Sequence, residues 1–167
     1  MIEVRRAGHE DAEWMQSSFD QFMGWEKPAG YFAECCQRQD EDKLVLFVAA
    51  DDEKYVGHVK VVWIPGYPYY RENGIPEIQD LNVLPSHRRR GVATQLVDAA
   101  EDVIRPRSKV AGIGFGLYAD YGPAQRMYFK RGYIPDGRGI MYHDKPVPPG
   151  SQVTVDDDLI MFLTKAL

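Results

Sequence analysis

Residues 77 to 93 constrain the fold of this chain more than any other stretch. They read Glu77-Ile78-Gln79-Asp80-Leu81-Asn82-Val83-Leu84-Pro85-Ser86-His87-Arg88-Arg89-Arg90-Gly91-Val92-Ala93. An apolar strand runs into a tight basic turn, and a glycine then opens a helix. Such a junction points several backbone N–H groups at one spot and surrounds them with positive charge, which suits a phosphate-bearing ligand. Gly91 frees the backbone and clears the approach path, Ala93 is small for the same reason, and Thr94 adds a hydroxyl. The Gly-Lys-Ser/Thr ending of a Walker loop is missing.

The basic run stands out because the 167-residue chain is acidic overall, with a net charge of −5. That balance argues against a nucleic-acid binder. No apolar run is long enough to span a bilayer, and Met1-Ile2-Glu3-Val4-Arg5-Arg6 lacks the apolar segment of a secretory signal. The length fits one domain over residues 1–167 with a core of its own. Cys35 and Cys36 are the only cysteines. Adjacent cysteines bridge each other poorly, so no intramolecular disulfide is expected, and a reducing cytosol is the expected compartment. No metal site is expected.

The apolar spacing predicts the elements. Ile2 to Arg5 reads as a strand. His9 to Met23 carries a helical stripe of Ala12, Met15, Phe19, Phe22 and Met23, broken by Gly24 and Pro28. A short helix is expected from Pro28 to Gln37. Leu44 to Ala50 and Tyr55 to Ile64 form an antiparallel hairpin about a polar turn. Residues 65 to 76 read as a proline- and glycine-bearing loop with three tyrosines, a candidate wall for an acceptor pocket or a packed surface segment. Glu77 to Val83 is the fourth strand. The helix after Gly91 runs to Pro106 along an apolar face of Val92, Leu96, Val97, Ala100, Val103 and Ile104.

Lys109 to Leu117 is the fifth strand. Ala111, Ile113, Phe115 and Leu117 alternate with Gly112, Gly114 and Gly116, leaving one face almost without side chains. A bare face of this kind fits a ligand cleft or a packed element. The alternating glycines lie within a strand, so they are not a dinucleotide fingerprint, which needs Gly-x-Gly-x-x-Gly between strand and helix. Pro123 begins a short helix that Gly132 ends. A sixth strand is expected to begin at Tyr133, residues 143 to 157 read as a loop, and Leu159 to Thr164 is the last strand. The acidic run Asp156-Asp157-Asp158 is a candidate attractor for a cationic amine, or a solvated turn. The order implies a mixed α/β domain on one largely antiparallel sheet, with a parallel step where a helix crosses over.

Residues 83 to 93 resemble the acetyl-CoA-binding motif of the GNAT superfamily of N-acetyltransferases. That motif is Gln or Arg, two residues, Gly, one residue, then Gly or Ala; Arg88, Gly91 and Ala93 fill it. Leu81, Val83 and Pro85 match the strand before it. A second family motif matches at Ala124, Tyr128, Gly132 and Tyr133, but Tyr121 stands where Asn is usual. The resemblance covers nearly the whole chain. It implies a sheet whose central strands splay apart, with helices on both faces.

The resemblance also implies a reaction. A primary amine attacks the thioester of acetyl-CoA, the co-substrate, directly. The turn Arg88, Arg89, Arg90, Gly91, Val92, Ala93 and Thr94 would hold the pyrophosphate, and Leu81, Asn82 and Val83 would hold the thioester end and donate an N–H to the oxyanion. Tyr128 is the general acid so implied, since a tyrosine hydroxyl stays protonated at neutral pH. The base is Glu77 or Asp80, with His58 and His87 as lesser candidates; strict alternation would place Glu77 and Gln79 on one face, Ile78 and Asp80 on the other. The acceptor expected is a small amine, polyamine-like, aminoglycoside-like or amino-acid-like. The alternatives are a protein N-terminus or lysine, and a module that binds acetyl-CoA without catalysis. Dimers are common in families of this kind, so a homodimer stays open.

Overall fold

Strands form at Ile2–Arg6 (β1), Leu44–Asp51 (β2), Lys54–Val62 (β3), Glu77–Val83 (β4), Val110–Gly116 (β5), Ile134–Tyr142 (β6), Lys145–Pro146 (β7) and Leu159–Ala166 (β8). The computed structural model, which covers residues 1–167, joins all of them in one sheet of order β1-β2-β3-β4-β5-β8-β6-β7. Helices occupy Ala12–Phe22 (α1), Tyr31–Asp40 (α2), Pro68–Glu72 (α3), Val92–Ile104 (α4) and Gly122–Lys130 (α5). Every neighbouring pair is antiparallel except β4 and β5, which are parallel and joined through α4. None of the helices is long and apolar enough to cross a membrane.

The sheet has apolar side chains on both faces. Val45, Phe47, Val59 and Val61 pack with Ile113, Phe115, the apolar stripe of α4, and Tyr128 of α5. On the opposite face, Leu44, Leu46, Val48 and Val62 pack with Met15 and Phe19 of α1 and Phe32, Cys35 and Cys36 of α2. Both cysteines are free and buried.

The outlines predicted for β4, β5 and α4 hold to within a residue or two. Elsewhere the chain departs from its pattern. There are eight strands rather than seven, because β6 turns back through the two-residue β7 inside what reads as loop. β6 is hidden in the sequence by Pro135, Gly137 and Gly139, and its pairing with β8 is irregular between Pro135 and Ile140. α2 begins at Tyr31, three residues after the proline expected to open it, because Gly30 caps it in the left-handed conformation. Residues 65 to 76 contain α3, with Pro68 in its first turn. Two of the three tyrosines there are core: Tyr67 stacks on Phe162 with ring centroids 3.9 Å apart, and Tyr70 is fully buried.

The glycine face of β5 is not an open cleft. A Cβ on Gly112 would collide with the ring of Tyr70, one on Gly114 with Ile160, and one on Gly116 with the ring of Tyr121. The glycines make room for aromatic and aliphatic side chains, and the Tyr70 hydroxyl donates across the strand to the carbonyl of Leu163.

Candidate active site

β4 and β5 begin together and then part. Their ladder consists of Glu77 opposite Gly112 and Ile78 opposite Ile113, and no pairing follows although both strands continue. Beyond Ile78, the donors of β4 that face β5 therefore have no ladder partner. The opening leads straight into the basic turn.

That turn is a set of unclaimed donors. Leu84, Pro85 and the residues to Arg88 make a single tight 3-10 turn. Arg89 and Gly91 then take positive φ, +61° and +81°, which swings the chain into α4. The N–H groups from Arg89 to Thr94 find no acceptor in the protein, and the first helical bond runs from Gln95 to Gly91. A Cβ on Gly91 would meet nothing within 4 Å, so the space above it is open. Arg88, Arg89 and Arg90 are exposed around it. Arg90 is tethered to Asp51 at 3.3 Å, and the Nε of Arg88 donates to the carbonyl of Val83 at 3.4 Å. Free N–H groups, a helix N-terminus and three guanidinium groups fit a pyrophosphate.

The two carboxylates of β4 have opposite surroundings. Glu77 is 8% exposed and has one close polar partner, the Gln79 amide, which donates to it at 2.9 Å. Burial pushes its carboxyl up to about 7; Asp144 adds to the rise, while Gln79 and Lys60 oppose it. Asp80 accepts from four donors. Lys27 and Asn82 reach Oδ1 at 2.8 and 2.7 Å, and Tyr31 and His58 reach Oδ2 at 2.5 and 2.9 Å. Burial alone would raise Asp80, but His58 and Lys27 outweigh it and hold the carboxyl well below the usual carboxylate range. Burial in turn pushes His58 down against the pull of Asp80. A neutral ring fits the contacts: Nε2–H donates to Asp80, and Nδ1 accepts from the Tyr55 hydroxyl at 2.6 Å.

Alternation along β4 breaks at Asp80. Lys60 of β3 lies opposite Gln79, but His58, two residues on, lies opposite Asn82. The extra β4 residue is absorbed by a bulge, with Asp80 at φ +56°. The bulge turns Asp80 onto the same face as Glu77 and Gln79, contrary to the face that strict alternation assigns. The face toward α1 and α2 thus carries Glu77, Gln79, Asp80 and Asn82 side by side, together with Lys60 and His58 of β3.

Tyr128 is on the other face, in the cluster formed by α4, α5 and Ile113. It is 5% exposed, and burial alone drives its hydroxyl above the ordinary tyrosine value, with no hydrogen-bond partner contributing. A carboxyl poised near neutrality at the start of β4 and a partnerless, protonated phenol thus lie on opposite faces of the sheet. Tyr121, where the motif usually has Asn, lays its ring over Gly116 and donates to Asp157 at 2.8 Å. The acidic run is likewise occupied locally. Asp156 accepts from Tyr142, Asp157 from Tyr118 and Tyr121, and Asp158 lies 3.4 Å from His143.

The model of the acetyltransferase (GNAT) family matches residues 10–133. The chain belongs to that family. No curated protein matches it in sequence. Its fold is shared with solved acetyltransferases at low identity. The ribosomal-protein-alanine N-acetyltransferase of Brucella melitensis is 14% identical, with a TM-score of 0.70 over 99% of both chains. NAA60 of Arabidopsis thaliana in complex with acetyl-CoA is 13% identical, with a TM-score of 0.72 over 100% of this chain and 99% of that one. A spermidine N-acetyltransferase chimera from Vibrio cholerae and hSSAT is 14% identical, with a TM-score of 0.67 over 99% and 95%.

In this acetyltransferase fold the expected residues divide into three groups. Arg88 to Thr94 form the donor-rich turn, Leu81 to Val83 lie on β4 beyond its last rung with β5, and Glu77, in the first rung, and Tyr128 lie on opposite faces of the sheet. Asp80 is engaged by its own network. His87 is remote from Glu77, on the turn beside Asp51 at 3.7 Å. Sequence reasoning missed Lys27, Tyr31 and Lys60. Only Lys60 left a signal, since it alternates with His58 on a strand beside β4.

Proposed function

We propose that this chain transfers the acetyl group of acetyl-CoA to the primary amine of a small molecule by direct attack, with residues 1–167 acting as one acetyltransferase domain in the cytosol. The observation that carries the reading is the parting of β4 from β5 beyond Ile78, at whose far end the free N–H groups begin. Bound acetyl-CoA supplies an activated acyl group and a thiol leaving group. The turn from Arg88 to Thr94 fits its pyrophosphate, and the unpaired edge of β4 from Leu81 to Val83 fits its thioester end.

Glu77 takes the proton that the amine sheds as it attacks. A carboxyl titrating near 7 is ionised in good part at neutral pH and remains a competent base. Tyr128 gives a proton to the departing sulfur; its raised hydroxyl keeps that proton until the sulfur needs it. The free donors of β4 stabilise negative charge on the carbonyl oxygen. Asp80 holds Lys27, Tyr31 and His58 in place and is assigned no proton transfer.

Thiol release from acetyl-CoA, screened against amines, polyamines, amino acids and peptides, tests the reading. Peptides belong in the panel because the structural neighbours are named for protein and polyamine acceptors alike. Glu77→Gln is expected to lower kcat roughly 100-fold and to abolish the limb near pH 7. Tyr128→Phe is expected to lower turnover while acetyl-CoA affinity holds. Near-wild-type turnover in both variants would overturn the assignment.

A further inference from the structure

The acceptor face has one cation left over. Asp80 carries four hydrogen bonds, so its lone pairs are used and it has no capacity for a substrate ammonium. The Lys27 ammonium is enclosed by Asp80 and by the rings of Phe19, Trp25 and Tyr31, with centroids 4.8, 4.9 and 4.4 Å away. Lys60 is different. Its ammonium is half-buried and donates to the Tyr31 hydroxyl at 2.9 Å, and it forms no ion pair. The Tyr31 hydroxyl keeps its proton and donates it in a hydrogen bond to Asp80, so Lys60 is bonded to a neutral group and keeps two N–H donors free.

Lys60 is also well placed. It lies opposite Gln79, and Glu77 is the next residue along β4 on the same face. Diagonal neighbours of this kind are about 7 Å apart at the backbone, within reach of one small molecule. Between them, Gln79 donates to Glu77 with one amide hydrogen and has its carbonyl oxygen free. A partly desolvated ammonium with no carboxylate within 4 Å, beside a carboxyl that accepts protons, is a matched pair of sites. One takes an anion and the other a neutral or protonated amine.

We propose that Lys60 anchors a carboxylate of the acceptor, so that the acceptor is a free amino acid or a close analogue whose amine and carboxylate are separated by one or two carbons. The proposal deepens the acetyl-transfer reading and rests on it for the reaction, but not for the binding. Lys60 is a specificity residue, and its ammonium disfavours a second cation beside it. In the acidic run that would favour a polyamine, Asp156 and Asp157 already accept from Tyr142, Tyr118 and Tyr121, and Asp158 lies beside His143.

The test is calorimetric binding of a panel of amino acids, each beside its carboxamide and its decarboxylated amine, to the protein saturated with CoA. Thiol release with acetyl-CoA is measured in parallel. At least one amino acid is expected to bind about 10-fold to 100-fold more tightly than its two counterparts that lack the carboxylate. Lys60→Met is expected to erase that preference and leave binding of the decarboxylated amine unchanged, while Lys60→Arg keeps the preference. Equal binding of acid, amide and amine, or an equal loss for all three in Lys60→Met, overturns the proposal. So does a panel in which only peptides or polyamines bind. Carboxylate-selective binding without thiol release would uphold the Lys60 site and sink the acetyl-transfer reading; release without carboxylate preference would do the reverse.

Discussion

The basic turn after β4 and the acceptor face of β4 adjoin one another and are built on opposite principles. The turn is made of backbone. Its donors are the N–H groups of consecutive residues, and its geometry comes from two positive φ angles at Arg89 and Gly91. Its arginine side chains stand in solvent. The acceptor face is made of side chains drawn from distant segments. Lys27 meets Asp80 across 53 residues, and Tyr31 meets it across 49. The first arrangement keeps its shape when a side chain is changed. The second depends on every member, because its charges are buried and each satisfies another.

The largest contrast should appear in stability. Asp80→Asn strands the buried Lys27 ammonium and is expected to cost about 3 kcal/mol in urea unfolding. Arg89→Ala, exposed on the turn, is expected to change stability by less than about 0.5 kcal/mol. The acid dependence follows the same sign. Asp80 is held below its usual value, so its contribution is whole above about pH 4 and falls as pH drops further, and the variant should lose that dependence. Equal stability losses at the two sites would remove the distinction.

Ligand affinity should show the reverse contrast, at smaller amplitude. Arg89→Ala or Arg88→Ala is expected to weaken acetyl-CoA binding roughly fivefold, by about 1 kcal/mol, and less at high salt. Asp80→Asn, if folded, should bind it nearly as wild type does. A salt-independent affinity would count against charge as the contribution of the turn.

The smallest effect separates neighbours within the acceptor face. Asp144 raises the Glu77 carboxyl and Lys60 lowers it. The limb of the pH–rate profile near 7 should therefore move down in Asp144→Asn and up in Lys60→Met. Movement in the same direction in both would remove Glu77 as the titrating group.

The same division explains what the sequence discloses. The turn, β4 and α4 are local, so the apolar run, the arginines and Gly91 suffice to place them. Tyr128 is singled out because it belongs to a pattern of fixed spacing, and Glu77 because it opens β4. The acceptor face does not come through, for two physical reasons. A bulge at Asp80 shifts the side-chain alternation in the middle of a seven-residue strand, and no residue type announces it. Two of the partners of Asp80, Lys27 and Tyr31, come from the segment entering α2, where chain direction is set by Gly30 and by packing of Phe19 and Phe32 rather than by periodicity. The glycines of β5 mislead in a different way. Their bare face is real, but Tyr70 and Tyr121 arrive from elsewhere to fill it.

The short β4–β5 ladder divides the sheet more deeply than its eight-strand continuity suggests. β1 to β4 form one ribbon and β5, β8, β6 and β7 another, and the two are stitched by a pair of rungs at one end only. A molecule lying in the opening touches both ribbons at once and acts as a brace between them. The least-paired line of the sheet is thus also the slot proposed for acetyl-CoA, and occupancy there is expected to raise the unfolding temperature of the whole protein.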